Sequence, residues 1–233
     1  MKKRMHWWTA YLLTIAAVLT AAHIGSKAAT AMGENAPFGA EHCIVIDPGH
    51  GGEDGGAISC TGRPESAYNL EISLRLRDLL HLLGMETKML RDTDRSIYVS
   101  GTTLAQKKLS DLKERLRIVS QTPGAIFVSI HQNHFPDPKY AGAQIFYGKI
   151  PGGETLAKRL QENFAATINP GSRRQCKKSQ GVYLMERLPC PAVLVECGFL
   201  SNPEEEGKLR AGEYQKSICC IIASTIGCFL ENS

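Results

Sequence analysis

The chain has 233 residues, of which 43% are hydrophobic and 21% are charged, and its formal net charge is +4. This length suits one catalytic domain with a short leader, and a core of that size needs no disulfide scaffold. The positive excess is too small to indicate a nucleic-acid-binding protein, although it favours approach to an anionic wall or membrane surface.

The N-terminus has the pattern of an exported protein. Three basic residues at positions 2–4 precede an uncharged apolar run from residue 7 to about residue 24, and residues 29–31 form the small-residue pattern Ala-Thr-Ala. The run nearly reaches the ~20 residues that span a bilayer. We therefore expect residues 1–31 to be a cleaved signal peptide or an uncleaved membrane anchor, and either one places the rest of the chain outside the cytoplasm.

The remaining sequence predicts one layered α/β domain. Residues 32–40 contain Gly, Pro and Ala and predict a linker, so the catalytic domain covers residues 41–233. Apolar runs predict strands at Cys43–Asp47, Met85–Leu90, Ala125–Ile130, Ala143–Tyr147 and Ala192–Val195. Helical spacing predicts helices that start near Pro64, Leu104, Gly153 and Gly212, and another helix capped by Asn202. This alternation favours a largely parallel sheet that is covered on both faces.

The second predicted helix has an apolar stripe along one face. Its members are Leu109, Leu112, Leu116 and Val119.

The eight cysteines give two opposing indications. An even number in an exported protein favours disulfides. However, Cys43 lies in an apolar strand and three others lie in the apolar C-terminal helix, where a free cysteine behaves as a small hydrophobic residue. No Cys-x-x-Cys pair occurs, which argues against a cysteine-based zinc site. We expect mostly free thiols.

Three of the apolar strands lead into residues with metal-binding or acid–base chemistry. The strands that begin at residues 43, 125 and 192 lead into His50, His131 and Glu196, respectively. Sites in open α/β sheets form at the carboxyl ends of strands, so these side chains are expected to converge. Glu65, at the start of the next helix, is placed to join them.

Two histidines and a glutamate are a recognised ligand set for catalytic zinc, with the fourth position left to water. The ion lowers the pKa of that water toward about 7, and a second carboxylate is then needed to carry its proton to the leaving nitrogen. Each histidine taken alone is more often a structural or surface residue. The pattern of strand ends favours a zinc site but leaves that structural alternative open.

Four sequence motifs are far more specific. They are Ile-Asp-Pro-Gly-His-Gly-Gly at residues 46–52, Glu65 four residues before Asn69-Leu70, Ser-Ile-His-Gln-Asn at 129–133, and Val-Glu-Cys-Gly-Phe-Leu-Ser-Asn at 195–202. In this order and spacing they resemble the zinc-dependent N-acetylmuramoyl-L-alanine amidases, amidase type 3. The similarity runs from about Cys43 to Leu230 and so covers the whole predicted domain.

This resemblance implies that His50, Glu65 and His131 are the zinc ligands and that Glu196 is the catalytic carboxylate. It also implies a three-layer α/β domain with a central mixed, largely parallel sheet of about six strands flanked by helices. The implied reaction is hydrolysis of the amide bond between the lactyl group of N-acetylmuramic acid and L-alanine in peptidoglycan. The sequence departs from the family pattern at Ser66, where Lys is common, and at Cys197, where Thr or Ser is usual, but neither change removes a ligand.

Within the family, segments 101–116 and 172–182 resemble the germination-specific amidases of spore-forming bacteria. Those enzymes remove peptides from muramic acid in the spore cortex, which is the first step toward muramic δ-lactam. The resemblance implies an enzyme outside the cytoplasm, in the space around the forespore, and an accessory protein is compatible with it. Three alternatives stay open: a vegetative cell-wall amidase, a zinc peptidase that acts on stem peptides, and a non-catalytic wall-binding protein.

Several polar residues outside the four motif positions are also candidates. Asp47 and Asn133 are expected to orient the ligands through hydrogen bonds, whereas Asp54 is interpreted as a loop cap. The densest basic cluster, at residues 173–178, is interpreted as either a solvated loop or a contact for substrate or another surface.

Overall fold

The computed structural model describes residues 41–232, so the predicted signal peptide or anchor at 1–31 and the predicted linker at 32–40 lie outside the described residues. The strands are β1 (Cys43–Pro48), β2 (Glu86–Met89), β3 (Ala125–Asn133), β4 (Gln144–Tyr147), β5 (Lys177–Lys178) and β6 (Ala192–Phe199). The helices are α1 (Glu65–Leu82), α2 (Leu104–Ser120), α3 (Gly153–Thr167), α4 (Tyr183–Arg187), α5 (Pro203–Arg210) and α6 (Gly212–Leu230). None of these helices is long and apolar enough to cross a membrane.

The six strands form one mixed sheet in the order β2-β1-β3-β6-β4-β5. All neighbouring strands are parallel except β4, which runs antiparallel to β6. Helices α1, α3 and α6 bury their apolar faces against one side of the sheet, and α2 and α4 contribute to the core on the other side. The predicted three-layer α/β fold with a mixed, largely parallel sheet is therefore confirmed.

The central strands are buried on both faces, which explains their continuous apolar sequences. In β1, Ile44 and Ile46 join the larger core while Cys43 and Val45 join the smaller one. Because successive side chains of a strand point to opposite faces, one short apolar run supplies both cores.

Strands β3 and β6 are longer than predicted. The predicted strands ended just before His131 and Glu196, whereas the observed strands include both residues. Their parallel pairing continues through these two residues, which lie opposite each other, and after an irregularity it also includes Asn133 and Phe199. Polar side chains at the carboxyl ends of these strands interrupt the apolar sequence pattern, but the backbone hydrogen bonds between the strands continue. The two predicted site residues are therefore held inside regular strands and not in flexible loops.

Three of the four residues in the predicted apolar stripe of α2 contact the smaller core. Val119 is buried and Leu112 and Leu116 pack against that core, whereas Leu109 is 45% exposed. The helix also buries two polar residues, Ser110 and Arg115. The Ser110 hydroxyl accepts hydrogen bonds from the backbone N–H groups of Val99 and Ser100, both at 3.1 Å. Helix α2 thus serves to fix loops near the carboxyl end of β1.

All eight cysteines lie in the described part of the chain and are unpaired, in agreement with the prediction of free thiols. Cys197 belongs to the larger core, and burial raises the pKa of its thiol well above the ordinary value. Because Cys197 and Glu196 are adjacent in β6, their side chains point to opposite faces of the sheet. This departure from the family pattern is therefore a core substitution.

Candidate metal centre and active site

His50 lies in the glycine-rich turn that follows β1, in an unusual backbone conformation. Its φ angle is 60°, a left-handed value that few residues other than glycine adopt. The backbone carbonyl of His50 accepts a hydrogen bond of 2.8 Å from Nη2 of Arg115, and its Nδ1 lies 3.0 Å from Oδ2 of Asp54. Burial lowers the pKa of His50, but hydrogen bonds with Asp54 and Glu65 outweigh burial and raise it to about 9.

Glu65 opens helix α1 directly after Pro64, and its carboxylate is buried between the two predicted histidines. Oε1 lies 2.9 Å from Nδ1 of His131, and Oε2 lies 3.3 Å from Nε2 of His50. Three further donors fix the carboxylate: the backbone N–H groups of Ala57 and Gln132 and the side-chain amide of Asn69. Burial raises the pKa of Glu65, but the two imidazoles outweigh it, so the pKa lies well below its ordinary value.

The three residues form a compact group of metal-binding atoms. The candidate ligand atoms of His50, Glu65 and His131 all lie within 4.8 Å of one another. Two glycines make room for them: a Cβ on Gly56 would lie 2.6 Å from Oε2 of Glu65, and one on Gly49 would lie 2.2 Å from Nε2 of His131. Two imidazoles and one carboxylate, close together and partly buried, match the donor set of catalytic zinc sites.

Glu196 faces this group from the neighbouring strand, directly opposite His131. Its Oε2 is buried and has no hydrogen-bond partner within the described residues. Burial raises the pKa of Glu196 to about 7, while the charges of His131 and His50 lower it and that of Glu65 raises it. A carboxyl group with a pKa near neutrality can both accept and return a proton.

Three of these residues, His50, His131 and Glu196, line a cleft of about 410 Å³ between the sheet, α2 and α4. Its lining includes the apolar side chains of Leu112, Phe127, Val182, Leu184, Met185 and Leu194. The lining also includes the polar side chains of Asp47, Asp54, Lys108, Asp111, Arg115 and Ser129. The cleft therefore suits a substrate that carries both alkyl and hydrogen-bonding groups next to the reacting bond.

Two residues that contribute to the site were missed or given another role by the sequence analysis. Asp54, interpreted there as a loop cap, does accept a hydrogen bond from the backbone of Gly56, but it also contacts His50. Oδ1, which accepts the hydrogen bond from Gly56, also lies 2.7 Å from Nζ of Lys108 in α2. The only available signal for Asp54 was its position in the glycine-rich loop, and Lys108 had none.

The expected role of Asp47 is indirect. Its carboxylate touches neither imidazole but pairs with Arg115 and accepts a hydrogen bond of 2.7 Å from the Ser129 hydroxyl. Arg115 in turn holds the backbone of His50, so Asp47 acts through Arg115. The side chain of Asn133 makes no hydrogen bond within residues 41–232, so its predicted orienting role has no contact to support it.

The fold and the His–Glu–His group correspond to one family of hydrolases. Residues 44–228 match the family model described as N-acetylmuramoyl-L-alanine amidase. The chain belongs to the N-acetylmuramoyl-L-alanine amidase family, as its motifs predicted.

Comparison with individual proteins shows which members of the family the chain resembles. The germination-specific N-acetylmuramoyl-L-alanine amidase of Bacillus subtilis (strain 168) is 36% identical over 182 residues, which are 77% of this chain and 76% of that protein. The CwlD amidase from Clostridioides difficile, solved in complex with the GerS lipoprotein, is 36% identical with a TM-score of 0.79, and the match covers 82% of this chain and all of that one. An N-acetylmuramoyl-L-alanine amidase from Clostridium difficile 630 is 27% identical with a TM-score of 0.72, over 82% of this chain and 98% of that one. The predicted resemblance to germination-specific amidases is confirmed.

Proposed function

We propose that this protein is a zinc-dependent hydrolase that cleaves the amide bond between the lactyl group of N-acetylmuramic acid and L-alanine in peptidoglycan. The observation that carries the proposal is the His50–Glu65–His131 group with the unpartnered carboxylate oxygen of Glu196 beside it. Membership of the amidase family supports the choice of bond.

In this proposal His50, Glu65 and His131 hold the zinc ion. Nδ1–H of His50 donates a hydrogen bond to Asp54. This leaves Nε2, the nitrogen that faces Glu65, as the ligand atom. When bound, the ion supplies a Lewis acid that polarises the amide carbonyl and makes water more acidic.

The proposed role of Glu196 is proton transfer. It takes a proton from the attacking water as the new C–O bond forms, and it returns this proton to the L-alanine nitrogen as the C–N bond breaks. The products are the lactyl carboxylic acid and a peptide with a free amino group. The free Oε2 of Glu196 and its position opposite His131 suit both transfers.

We further propose that the enzyme acts outside the cytoplasm on spore cortex, as the first step of muramic δ-lactam formation. The support is the similarity to the germination-specific amidase of Bacillus subtilis. Residues 1–31 would then be the signal peptide or membrane anchor. The complex of the Clostridioides difficile relative with a lipoprotein supports an accessory lipoprotein for this chain as well.

Mass spectrometry of digested walls tests the proposed reaction. Purified, zinc-loaded protein is incubated with spore cortex and, separately, with vegetative wall. We expect release of peptides that begin with L-alanine, with muramic acid left intact and the higher rate on cortex; chelation should stop the release and added zinc should restore it. A cut inside the stem peptide would identify a peptidase instead, and release that survives metal removal would contradict the zinc role.

Asp54→Asn is expected to weaken zinc binding by about 10- to 100-fold, because the amide no longer orients His50 as a charged acceptor does. Competition with a chromophoric chelator measures this affinity. Glu53→Gln is the matched control, since Glu53 is the preceding acid, is exposed and pairs with Lys107 without touching a histidine. Equal zinc affinity in the two variants would show that Asp54 does not support the ligand.

A further inference from the structure

The basic cluster at residues 173–178 contains cations that no carboxylate neutralises. Its members are Arg173, Arg174, Lys177 and Lys178. None of the four forms an ion pair within residues 41–232, whereas other surface cations do, such as Lys208 with Glu204. This unpaired positive charge, on edge strand β5 and in the segment before it, is available to an anionic ligand.

Arg174 differs from the other three residues because contacts hold its charged group in place. Its Nε donates a hydrogen bond of 3.2 Å to the carbonyl of Ala141, and its Nη1 donates one of 3.5 Å to Oε1 of Gln144. The guanidinium carbon also lies 5.1 Å from the centre of the Phe199 ring. These contacts use two of the five N–H donors of the side chain, so the outer side of the guanidinium remains open.

The contacts of Arg174 place it on residues that neighbour the proposed catalytic carboxylate in the sheet. Gln144 lies directly opposite Glu196 in the antiparallel pairing of β4 and β6, and side chains of such a pair share one face of the sheet. Phe199 follows Glu196 in β6 after the irregularity and pairs with Asn133, two residues beyond the His131 that lies opposite Glu196. The hydrogen bonds to Ala141 and Gln144 put Arg174 on the β4 side of Glu196, outside the lining of the 410 Å³ cleft.

We propose that Arg174 binds a carboxylate in the peptide part of the substrate and so directs the peptide toward β4; this inference rests on the proposed amidase function. Before cleavage the lactyl carboxyl group is part of the amide bond and carries no charge, and N-acetylated sugars are also neutral. The free carboxylates of a muramoyl-peptide therefore lie on the peptide side of the reacting bond. An ordered guanidinium with an open outer edge is the side chain best suited to bind a carboxylate through two hydrogen bonds.

Paired substrates test this role. The wild type, Arg174→Gln and Arg174→Lys are compared on an N-acetylmuramoyl-dipeptide with an acidic second residue and on its carboxamide counterpart. For Arg174→Gln we expect KM for the acidic substrate to rise about 10- to 100-fold, the range expected for loss of a charged hydrogen bond, with kcat changed by less than about twofold. KM for the carboxamide should stay unchanged, and Arg174→Lys should recover part of the preference. Arg173→Gln, at the adjacent exposed cation, should behave as the wild type does.

Either of two kinetic outcomes would overturn the inference. Equal preference in Arg174→Gln and the wild type would show that Arg174 does not bind the substrate carboxylate, and an equal loss on both substrates would indicate a structural role. Binding of the acidic dipeptide alone, followed by NMR titration of wild type and Arg174→Gln, needs no turnover. If neither substrate were cut by the wild type but the dipeptide bound through Arg174, the amidase function would fail while the carboxylate site stood. Equal dipeptide binding by the two proteins would overturn the site itself.

Discussion

Glu196→Gln is expected to retain zinc and to lose turnover by about 10²- to 10⁴-fold, the range that general acid–base catalysis contributes. Glutamine has nearly the same shape as glutamate, but its amide cannot accept the proton of the attacking water and return it to the leaving nitrogen. Zinc content follows from elemental analysis of the purified variant, and turnover follows from the rate at which free L-alanine amino groups appear.

Two comparison variants separate this role from a general disturbance of the site. Glu204→Gln changes an exposed glutamate at the start of α5 that pairs with Lys208, so metal content and activity should both stay normal. His50→Ala should lose both, because it removes a proposed ligand. Near-normal turnover in Glu196→Gln would refute the proton-transfer role, and full zinc occupancy in His50→Ala would refute the ligand assignment.

The position of the site at one edge of the sheet was predictable because the central strands are apolar at almost every position. Such runs mark parallel strands that are buried on both faces, and the residue that follows each run must lie at the carboxyl edge. The three apolar runs therefore predict, from sequence alone, that His50, His131 and Glu196 lie together. The position of Glu65 was less predictable, because it depends on where α1 begins and on the direction in which the first turn of that helix points.

The polar contacts that support these residues were not predictable from hydrophobic patterns. Lys108 reaches Asp54 from a helix 54 positions later in the chain, and nothing in the local sequence of either residue indicates the partner. In helix α2 the periodicity identified the core contacts of Leu112, Leu116 and Val119 but not the burial of Ser110 and Arg115. Hydrophobic periodicity assumes that the buried face is apolar, and it fails where a helix buries hydrogen-bonding groups next to a site.

Arg115→Met is expected to lower the free energy of unfolding by about 3–5 kcal/mol, because it leaves a buried carboxylate without its partner. The Arg115 side chain is 2% exposed and pairs with Asp47, whose side chain is equally buried. Arg115 also donates a hydrogen bond of 2.6 Å to Asp111 and bonds the backbone carbonyls of Pro48 and His50. For a domain of this size the loss corresponds to a melting temperature lower by roughly 6–20 °C.

The matched control for this change is Arg117→Met in the same helix. Arg117 is 54% exposed and pairs with Glu114, so its loss should change stability by no more than about 0.5 kcal/mol. The double variant Arg115→Met/Asp47→Asn should recover part of the stability, because it removes the buried charge that Arg115→Met leaves unpaired. Urea denaturation of all four proteins at neutral pH measures these differences.

The pH dependence gives a further test of the same ion pair. Burial raises the pKa of Asp47, but the charge of Arg115 and the hydrogen bond from Ser129 outweigh burial, so the pKa lies below its ordinary value. The wild type therefore keeps this stabilisation above the unfolded pKa of about 3.9 and loses it only as the pH falls through the lower folded value. In Arg115→Met burial acts without the opposing charge and raises the pKa of Asp47, so the deficit should be largest near pH 7 and shrink as the pH approaches 4. A deficit that stayed constant over this range would mean that the lost hydrogen bonds to the Pro48 and His50 carbonyls, and not the unpaired charge of Asp47, account for the destabilisation.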